Sequence, residues 1–318
     1  MGSPRVVAIV GPTAVGKSAV AESVAVALGG EIVSADSMQI YRGLDIGTAK
    51  TPAAERRVRY HCVDLVEPGQ PYSAALFQRD ARAAIDGILA RGSTPVVVGG
   101  TGLYVRAALD AMDFPAGETG TPLRAHLEER ARAGQGPAMH AELAALDPES
   151  AALIHPNNTR RVIRALEMLH EGRPYARQAR DFRRRQSHYP DTRYFGLTLD
   201  RATLYERIDA RVDDMLSKGL LDEIGSLVAA GLGDALTSSQ AIGYKELVPV
   251  VTGGSDIATA VVRVKQATRR YAKRQLTWFR ADPRIEWVDV DGMTALETAQ
   301  RILHLIESSG AQTQGGST

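Results

Sequence analysis

Residues 6–18 have the sequence VVAIVGPTAVGKS, an apolar run followed by a glycine-bounded loop. The β-branched run at 6–10 predicts a strand buried on both faces, and the stretch 19–28 predicts a helix. The loop between them matches the pattern G-x-x-x-x-G-K-[ST] in full. This order predicts a phosphate-binding loop, because consecutive backbone N–H groups and the helix N-terminus can surround an anion. The predicted loop residues are Gly11, Pro12, Thr13, Ala14, Val15, Gly16, Lys17 and Ser18.

The loop predicts the kind of ligand and leaves the reaction open. Lys17 would supply a full positive charge to the outer phosphate oxygens, and the Ser18 hydroxyl is suited to Mg²⁺. We therefore expect a di- or triphosphate ligand, with Mg²⁺ as a cofactor bound through Ser18.

A carboxylate is expected beside the phosphates, and its place in this sequence is unusual. A standard nucleotide-hydrolysing enzyme with this loop carries an aspartate after another buried strand, but the apolar run 95–98 leads into Gly-Gly-Thr-Gly. The carboxylate follows the second predicted strand instead, as Asp36. Because the carboxyl ends of parallel strands face one crevice, we expect Asp36 and Thr101 beside the phosphate site. The residues alone leave Asp36 as a metal-linked group, a general base or a helix N-cap.

The alternation of strands and helices predicts an α/β fold. Further strands are predicted at 31–35, 95–98, 194–199 and 285–290, and helices at 73–90, 201–230 and 261–279. Residues 113–194 show no strand pattern and several helical stretches. We therefore predict a P-loop NTPase-like parallel sheet flanked by helices, with an inserted all-helical domain. The predicted divisions are 1–112 for the first part of the core, 113–194 for the helical insertion, 195–307 for the second part of the core with a basic C-terminal helix, and 308–318 for a disordered tail.

The net charge of +1 conceals two basic segments. Residues 160–193 include ten arginines and four acidic residues, and residues 263–284 include eight basic residues and one acidic residue. Such segments on an otherwise acidic chain indicate a polyanionic partner, with two solvated helix faces as the alternative. Helical spacing places Trp278 on the apolar stripe of the second segment, which predicts core packing. The opposite, polar stripe contains Gln266, Arg269, Lys273, Thr277 and Arg280.

The composition excludes several classes of protein. The chain of 318 residues has one cysteine, Cys62, which excludes a disulfide framework and a multi-cysteine zinc or iron–sulfur site. No apolar run approaches the roughly 18 residues of a membrane span. The first predicted strand begins so early that it leaves no room for a signal peptide. We therefore expect a cytoplasmic protein without a membrane partner, and we expect a monomer.

Further motifs follow the phosphate loop in a fixed order. The chain carries SADSMQIY at 34–41, DIGTAK at 45–50, VGGTGLY at 98–104, HPNN at 155–158, RRVIRALE at 160–167, QAIGYK at 240–245 and KRQLTWFR at 273–280. This ordered set resembles the bacterial tRNA dimethylallyltransferases, also called tRNA isopentenyltransferases, of the IPP transferase family, over roughly residues 5–305. Eukaryotic relatives add a C-terminal zinc finger, for which this chain has no cysteines.

The resemblance implies transfer of a dimethylallyl group from dimethylallyl diphosphate to N6 of the adenosine immediately 3′ of the tRNA anticodon, giving N6-isopentenyladenosine. The phosphate loop would hold the departing diphosphate, and Asp36 would be the general base. The partner would be the tRNA anticodon stem-loop, whose target adenine must be flipped out of the stack. Two alternatives are a P-loop kinase that uses ATP on a nucleoside or metabolite, and a nonenzymatic, nucleotide-gated RNA-binding module.

The resemblance also implies residue roles. The catalytic positions are Asp36, Thr101 and Arg106. The tRNA-binding positions are Asp36, Ser37, Met38, Gln39, Thr101, Arg124, Arg160, Arg161, Val162, Ile163, Arg164, Gln240, Gly243, Lys245, Lys273 and Arg280. For Arg106 the alternative is a solvated helix arginine, and for Arg124 it is a surface arginine.

Overall fold

The computed structural model of the chain describes residues 6–112, 114, 121–231 and 241–312. The strands are β1 (Val6–Val10), β2 (Glu31–Ser34), β3 (Tyr60–His61), β4 (Pro95–Gly99), β5 (Thr192–Thr198) and β6 (Ile285–Asp289). The helices are α1 (Lys17–Ala27), α2 (Ala74–Ala90), α3 (Gly102–Leu109), α4 (Pro122–Arg132), α5 (Gly136–Leu146), α6 (Pro148–Ala152), α7 (Thr159–His170), α8 (Tyr175–Arg183), α9 (Arg201–Ser217), α10 (Leu220–Ala229), α11 (Tyr244–Val251), α12 (Ile257–Arg280) and α13 (Ala295–Gln312).

The six strands form one parallel sheet in the order β3-β2-β4-β1-β5-β6. At its centre, Val10 of β1 pairs with Gly99 of β4 and with Gly196 of β5. In open parallel sheets, ligands bind outside the carboxyl ends of the strands, where the strand order reverses. The sheet therefore places the loops after β1, β2 and β4 at the edge where a ligand is expected.

The main core lies on the faces of this sheet. Every residue of β1 and β4 is buried, as expected of β-branched strands covered on both faces. Helix α1 packs against α13 and β4, and α2 packs against α3 and the sheet. The α2 face that is buried contains Phe77, Ala81, Ile85 and Ile88, whose spacing matches the helical period.

The chain divides into two compact units. The first comprises the residues up to Asp110 and from Ser187 onward, and the second comprises Ala111–Gln186. Helices α4 to α8 belong to the second unit, whose described residues contain no strand. This helical unit has its own core, which includes Leu127, Met139, Leu143, Val162 and Leu166.

The predicted parallel α/β class is confirmed, and several bounds differ. Elements β3, α3 and α11 were not predicted, because they are short and their apolar residues follow no clear helical or strand spacing. The helix predicted at 201–230 is divided by Gly219, which has a φ of 93° before α10. The second unit ends at Gln186 rather than at residue 194, because Ser187 pairs with Asp110 and the His188 N–H donates to the Leu109 carbonyl, both within the first unit. Helix α13 continues to Gln312, so residues 308–312 of the predicted tail are helical, and 313–318 lie outside the described residues.

Across the described ranges, no helix combines the length and the hydropathy that crossing a membrane requires.

Candidate active site

The predicted phosphate-binding loop lies between β1 and α1, as expected. Gly16, with a φ of 97°, turns the chain into the helix at Lys17, and this left-handed backbone favours glycine. Gly11 passes so close to β5 that a Cβ on it would lie 2.6 Å from the carbonyl oxygen of Leu197. The two glycines of the pattern are therefore required by the backbone geometry itself.

Three charged groups meet beside this loop: Lys17, Arg211 of α9 and Asp36. The pKa of Lys17 is lowered from its ordinary 10.5 to about 7, because burial and, to a smaller extent, the positive charge of Arg211 lower it more than the charge of Asp36 raises it. Burial also lowers the pKa of Arg211. Lys17 Nζ donates a hydrogen bond to the Pro12 carbonyl oxygen at 2.6 Å. Two cations held partly out of water form a site that an anionic ligand stabilises.

Gln275 of α12 ties the phosphate loop to the loop after β4. Its side chain is 5% exposed; Oε1 accepts from the Thr13 backbone N–H at 2.8 Å, and Nε2 donates to the Gly100 carbonyl at 2.9 Å. A Cβ on Gly100 would lie 2.1 Å from Nε2, so the glycine is needed for this approach. The amide therefore satisfies one partly buried donor and one buried acceptor from two separate loops.

Asp36 lies two residues beyond β2, half-buried, at the edge predicted for it. Its Oδ1 accepts the Met38 backbone N–H at 2.9 Å, and residues 37–40 form a turn rather than a helix, so the helix N-cap alternative is wrong. The adjacent Ser37 N–H donates to Thr101 Oγ1 at 3.1 Å. The structure thus brings Asp36 and Thr101 together beside the phosphate loop, as predicted.

The Gln39 side chain is fixed by hydrogen bonds at both ends of its amide. Ser34 Oγ donates to Gln39 Oε1 at 2.9 Å, and Gln39 Nε2 donates to the Thr48 carbonyl at 3.2 Å. Gln39 therefore connects β2 with the 45–50 segment.

A cavity of about 310 Å³ opens among these residues. Its polar lining residues are Thr13, Asp36, Ser37, Thr48, Arg211, Thr268, Tyr271 and Arg274. Its apolar lining residues are Met38, Ile208, Val212, Met215, Leu220, Ala241, Ile242 and Val264. Burial raises the pKa of Tyr271 to about 12, with the charge of Asp36 adding to the effect, so this phenol stays protonated at neutral pH. The cavity joins a charged region to an apolar one, which suits a ligand with an anionic head and a short hydrocarbon tail.

Arg106 lies in α3 and is 4% exposed. Its Nε donates to Asp110 Oδ2 at 2.5 Å, and the other oxygen of Asp110 accepts from Arg284 Nη1 at 2.8 Å. The solvated-arginine alternative is therefore wrong. The structure gives Arg106 a buried ion pair, and its predicted part in the reaction stays a prediction.

The predicted contact segment on α7 contains two kinds of residue. Arg160 and Arg161 are exposed, whereas Arg164 is half-buried and lies 3.6 Å from the carboxylate of Glu167. The side chains of Val162 and Ile163 are 0% and 6% exposed and lie in the core of the helical unit. These two side chains form part of the apolar face that holds the helix in place, and the predicted contact of Val162 and Ile163 with tRNA stays a prediction.

Arg124 is neither isolated nor fully exposed. It pairs with Glu128 at 2.8 Å and with the 5%-exposed Glu167 at 3.1 Å. The pairing places Arg124 in an ion-pair cluster between α4 and α7, where removing it would leave the Glu167 carboxylate poorly compensated.

The remaining predicted contacts lie near the C-terminal helices. Lys245, Lys273 and Arg280 are exposed, and Gly243, with a φ of 96°, lines the cavity. Gln240 lies outside the described residues.

Trp278 is 38% exposed rather than buried, although its indole lies over Gly102, where a Cβ would lie 2.1 Å from the ring. The core packing predicted for it is therefore wrong.

Ser18 is the residue for which Mg²⁺ ligation was predicted. The described residues contain no cluster of three or more histidine, cysteine or acidic side chains that could hold a metal ion. Ser18 is exposed in the first turn of α1. Mg²⁺ commonly keeps several waters and binds substrate phosphates with one or two protein ligands, so this sparse donor set fits a metal that arrives with the substrate.

Sequence reasoning missed Arg211 and Gln275. The sequence does indicate that Gln275 is buried, since it falls at helical spacing between the buried Ala272 and Phe279. The indication for Arg211 is weaker, because it rests only on the buried neighbour Val212 in the amphipathic helix α9. Cys62 is buried, and burial raises its pKa to about 12, which makes a reactive thiol unfavourable.

Comparison with known proteins gives matches over most of the chain. The model of the IPP transferase family matches residues 39–282, and that of isopentenyl transferase matches residues 4–59. The tRNA dimethylallyltransferase of Carboxydothermus hydrogenoformans is 46% identical over 299 residues, covering 93% of this chain and 94% of the relative. That of Geobacillus thermodenitrificans is 49% identical over 288 residues, covering 90% of each.

Solved structures show the same fold. The full-length tRNA isopentenylpyrophosphate transferase of Bacillus halodurans is 40% identical, with a TM-score of 0.70 over 98% of this chain and 99% of that one. A eukaryotic dimethylallyltransferase, captured acting on tRNA, is 31% identical, with a TM-score of 0.76 over 90% of this chain and 74% of that one.

Proposed function

The chain belongs to the IPP transferase family and is a tRNA dimethylallyltransferase, and we propose that Asp36 and the phosphate loop divide the chemistry of the transfer between them. One observation carries this assignment. Asp36, Arg211 and an apolar wall line a single cavity, with Lys17 close enough for its charge to interact with both. A prenyl diphosphate has the matching parts: a polyanionic head and a short hydrocarbon tail.

The diphosphate end of the donor belongs at Lys17 and Arg211. As the bond between the allylic carbon and the diphosphate oxygen breaks, negative charge grows on the leaving group, and cations already in place stabilise that charge. The loop amides and the N-terminus of α1 add to the field. Lys17 uses one of its three N–H donors on the Pro12 carbonyl, which leaves two for the diphosphate.

Asp36 is the proposed general base. The N6 amine of adenine attacks the cation-like allylic carbon, the C–O bond to the diphosphate breaks, a C–N bond forms, and one N6 proton passes to the Asp36 carboxylate. The amine is a poor nucleophile because its lone pair is delocalised into the ring, so removing the proton as the bond forms lowers the barrier. The Met38 N–H holds one carboxylate oxygen and so fixes the orientation of Asp36.

Mg²⁺ is the proposed cofactor, with Ser18 as its protein ligand. When bound, the ion would neutralise part of the diphosphate charge. The exposed Ser18 hydroxyl beside the loop supports this proposal.

The proposed acceptor is the adenosine 3′-adjacent to the anticodon, presented by the anticodon stem-loop. An adenine stacked in a loop has to be extruded before its N6 can react, and single-stranded loops are where proteins read bases. Exposed Arg160, Arg161, Lys273 and Arg280 are proposed to contact the phosphates.

A cytoplasmic place of action and a monomeric state are also proposed. Since tRNA is the acceptor, the enzyme should act where tRNA does. Size-exclusion chromatography with light scattering, with and without tRNA, would test the oligomeric state.

A transfer assay tests the assignment against the kinase alternative, which the comparisons do not support. Purified protein is given unmodified tRNA with labelled dimethylallyl diphosphate, or a nucleoside mixture with labelled ATP. We expect prenylated tRNA and no phosphoryl transfer. An acceptor with guanosine at the target position is the matched control, and labelling of that acceptor would contradict N6 of adenosine as the nucleophile.

A further inference from the structure

Glu223 of α10 accepts four hydrogen bonds, three from the 45–47 loop and one from Tyr244 of α11. Its Oε2 accepts the backbone N–H groups of Asp45 at 3.0 Å and Ile46 at 2.7 Å. Its Oε1 accepts the Gly47 N–H at 3.2 Å and the Tyr244 hydroxyl at 2.6 Å. An ionised carboxylate can accept about four hydrogen bonds, so Glu223 uses its full capacity. Hydrogen bonds to a charged acceptor are stronger than those between neutral groups.

The residues around Glu223 fit this arrangement closely. Gly47 lies directly on the Tyr244 ring, since a Cβ on it would lie 2.5 Å from that ring. Burial, together with the hydrogen bond to Glu223 and its charge, raises the pKa of the Tyr244 hydroxyl. The phenol therefore remains protonated and remains a donor to Glu223 across the working pH range.

The hydrogen bonds of Glu223 connect two chain segments that line the cavity. On one side, the 45–47 loop continues into Thr48, whose carbonyl accepts from Gln39, and Gly47 and Thr48 both line the cavity. On the other side, Tyr244 follows Ile242 and Gly243, which also line it. One carboxylate thus joins two segments of cavity wall that are distant in sequence, and through Gln39 it reaches the segment that carries Asp36.

We propose that Glu223 is a positioning residue for the acceptor side of the active site. This rests on the function proposed above. Glu223 holds the 45–48 loop and the start of α11 in register, and this positions Gln39 and Gly243, two residues for which the resemblance implies contact with tRNA. Its hydrogen bonds end at the loop and at Tyr244 and include no group of the phosphate loop. Changes at Glu223 should therefore affect tRNA more than the diphosphate donor.

The variants are chosen to remove the hydrogen bonds in steps. Tyr244→Phe removes one, Glu223→Gln turns an NH₂ group toward donors on one side, and Glu223→Ala removes all four. Asp222→Asn is the matched control, because Asp222 is the exposed neighbour on the same helical turn and its change alters the net charge as Glu223→Gln does.

Two readouts are needed on the full-length protein. Hydrogen exchange followed by mass spectrometry reports on the 44–50 peptide without any substrate. Steady-state transfer kinetics give kcat/KM for tRNA and KM for dimethylallyl diphosphate separately. We expect faster exchange of the 44–50 peptide and a fall in kcat/KM for tRNA in the order Tyr244→Phe, Glu223→Gln, Glu223→Ala, with about tenfold loss or more for Glu223→Gln. KM for the donor should change less than about twofold, and Asp222→Asn should match the wild type.

Unchanged exchange of the 44–50 peptide in Glu223→Gln would overturn the proposal. So would faster exchange with equal effects on the two substrates, which is the result of a general loss of structure. If Glu223→Ala does not fold, the two milder variants still decide the matter. A wild-type protein that transfers no prenyl group would instead overturn the proposed function, and the exchange result would stand apart from it.

Discussion

Gln275 accepts a hydrogen bond from the backbone N–H of Thr13 at 2.8 Å, although the two residues are 262 positions apart. The C-terminal helix α12 therefore holds the phosphate loop, which the N-terminal β1 and α1 present. The same side chain donates to the Gly100 carbonyl, so three segments of the chain converge on one buried amide.

Replacing Gln275 should loosen the phosphate loop. In Gln275→Leu, the buried Gly100 carbonyl and the partly buried Thr13 N–H lose their partner, which costs about 1–3 kcal/mol of unfolding free energy. KM for dimethylallyl diphosphate should rise as well, since the loop is less well ordered. Urea denaturation and donor kinetics measure the two effects. Gln266→Leu, an exposed position of the same helix, should show neither, and equal behaviour of the two variants would contradict this role.

Donor binding should depend on pH through Lys17. Its pKa is about 7 in the folded protein and 10.5 ordinarily, so the protonated form is disfavoured by folding. The contribution of Lys17 to stability is therefore lowest below pH 7 and becomes more favourable as the pH rises from about 7 toward 10.5. The diphosphate favours the protonated form, so KM for the donor should rise above about pH 7.

Donor kinetics from pH 6 to 9 measure this dependence, and isothermal titration in buffers of different ionisation enthalpy measures proton uptake on binding. In Lys17→Arg, whose guanidinium stays protonated, the pH dependence should flatten. A KM that does not change with pH in the wild type would contradict the assignment of Lys17 to the diphosphate.

Arg211→Gln should weaken transition-state stabilisation. Removing one charged donor from a developing anion typically costs about 10²–10³ in kcat. Binding of tRNA, measured by filter retention in the absence of donor, should be close to that of the wild type. Arg207, on the same helix, offers a control as Arg207→Gln, which should keep the wild-type kcat. Loss of tRNA binding with unchanged kcat in Arg211→Gln would place Arg211 on the acceptor side instead.

Arg160→Ala combined with Arg161→Ala should weaken tRNA binding and reduce its salt dependence. Each lost phosphate contact lowers the slope of log K against log salt by about 0.7–0.9. Arg132→Ala, an exposed arginine of α4 in the same unit, controls for general loss of charge. A double variant with the wild-type slope would show that these two arginines face solvent in the complex.

Much of the sheet could be predicted because it depends on local pattern. β1 and β4 are short apolar runs rich in β-branched residues, and Gly11 and Gly16 occur where the loop geometry requires glycine. Asp36 could be placed beside Thr101 because parallel strands end at one edge.

The residues that were missed or misplaced depend on tertiary contacts. Gln275 is polar on a buried stripe, and its partners lie in loops far away in sequence. Trp278 has the spacing of a core residue, but the absence of a side chain at Gly102 lets its ring lie partly exposed on α3. Val162 and Ile163 belong to a motif that also contains exposed arginines. The motif alone does not tell which of its residues are buried, and the structure does.

The most direct measurement is the single-turnover rate of Asp36→Asn with saturating dimethylallyl diphosphate and tRNA. Asn keeps the acceptor for the Met38 N–H and so preserves the turn, but it cannot take the N6 proton. The rate should fall by about 10²–10⁴ while the affinities for tRNA and donor stay near those of the wild type. A rate within a fewfold of the wild type would contradict the assignment of Asp36 as the base.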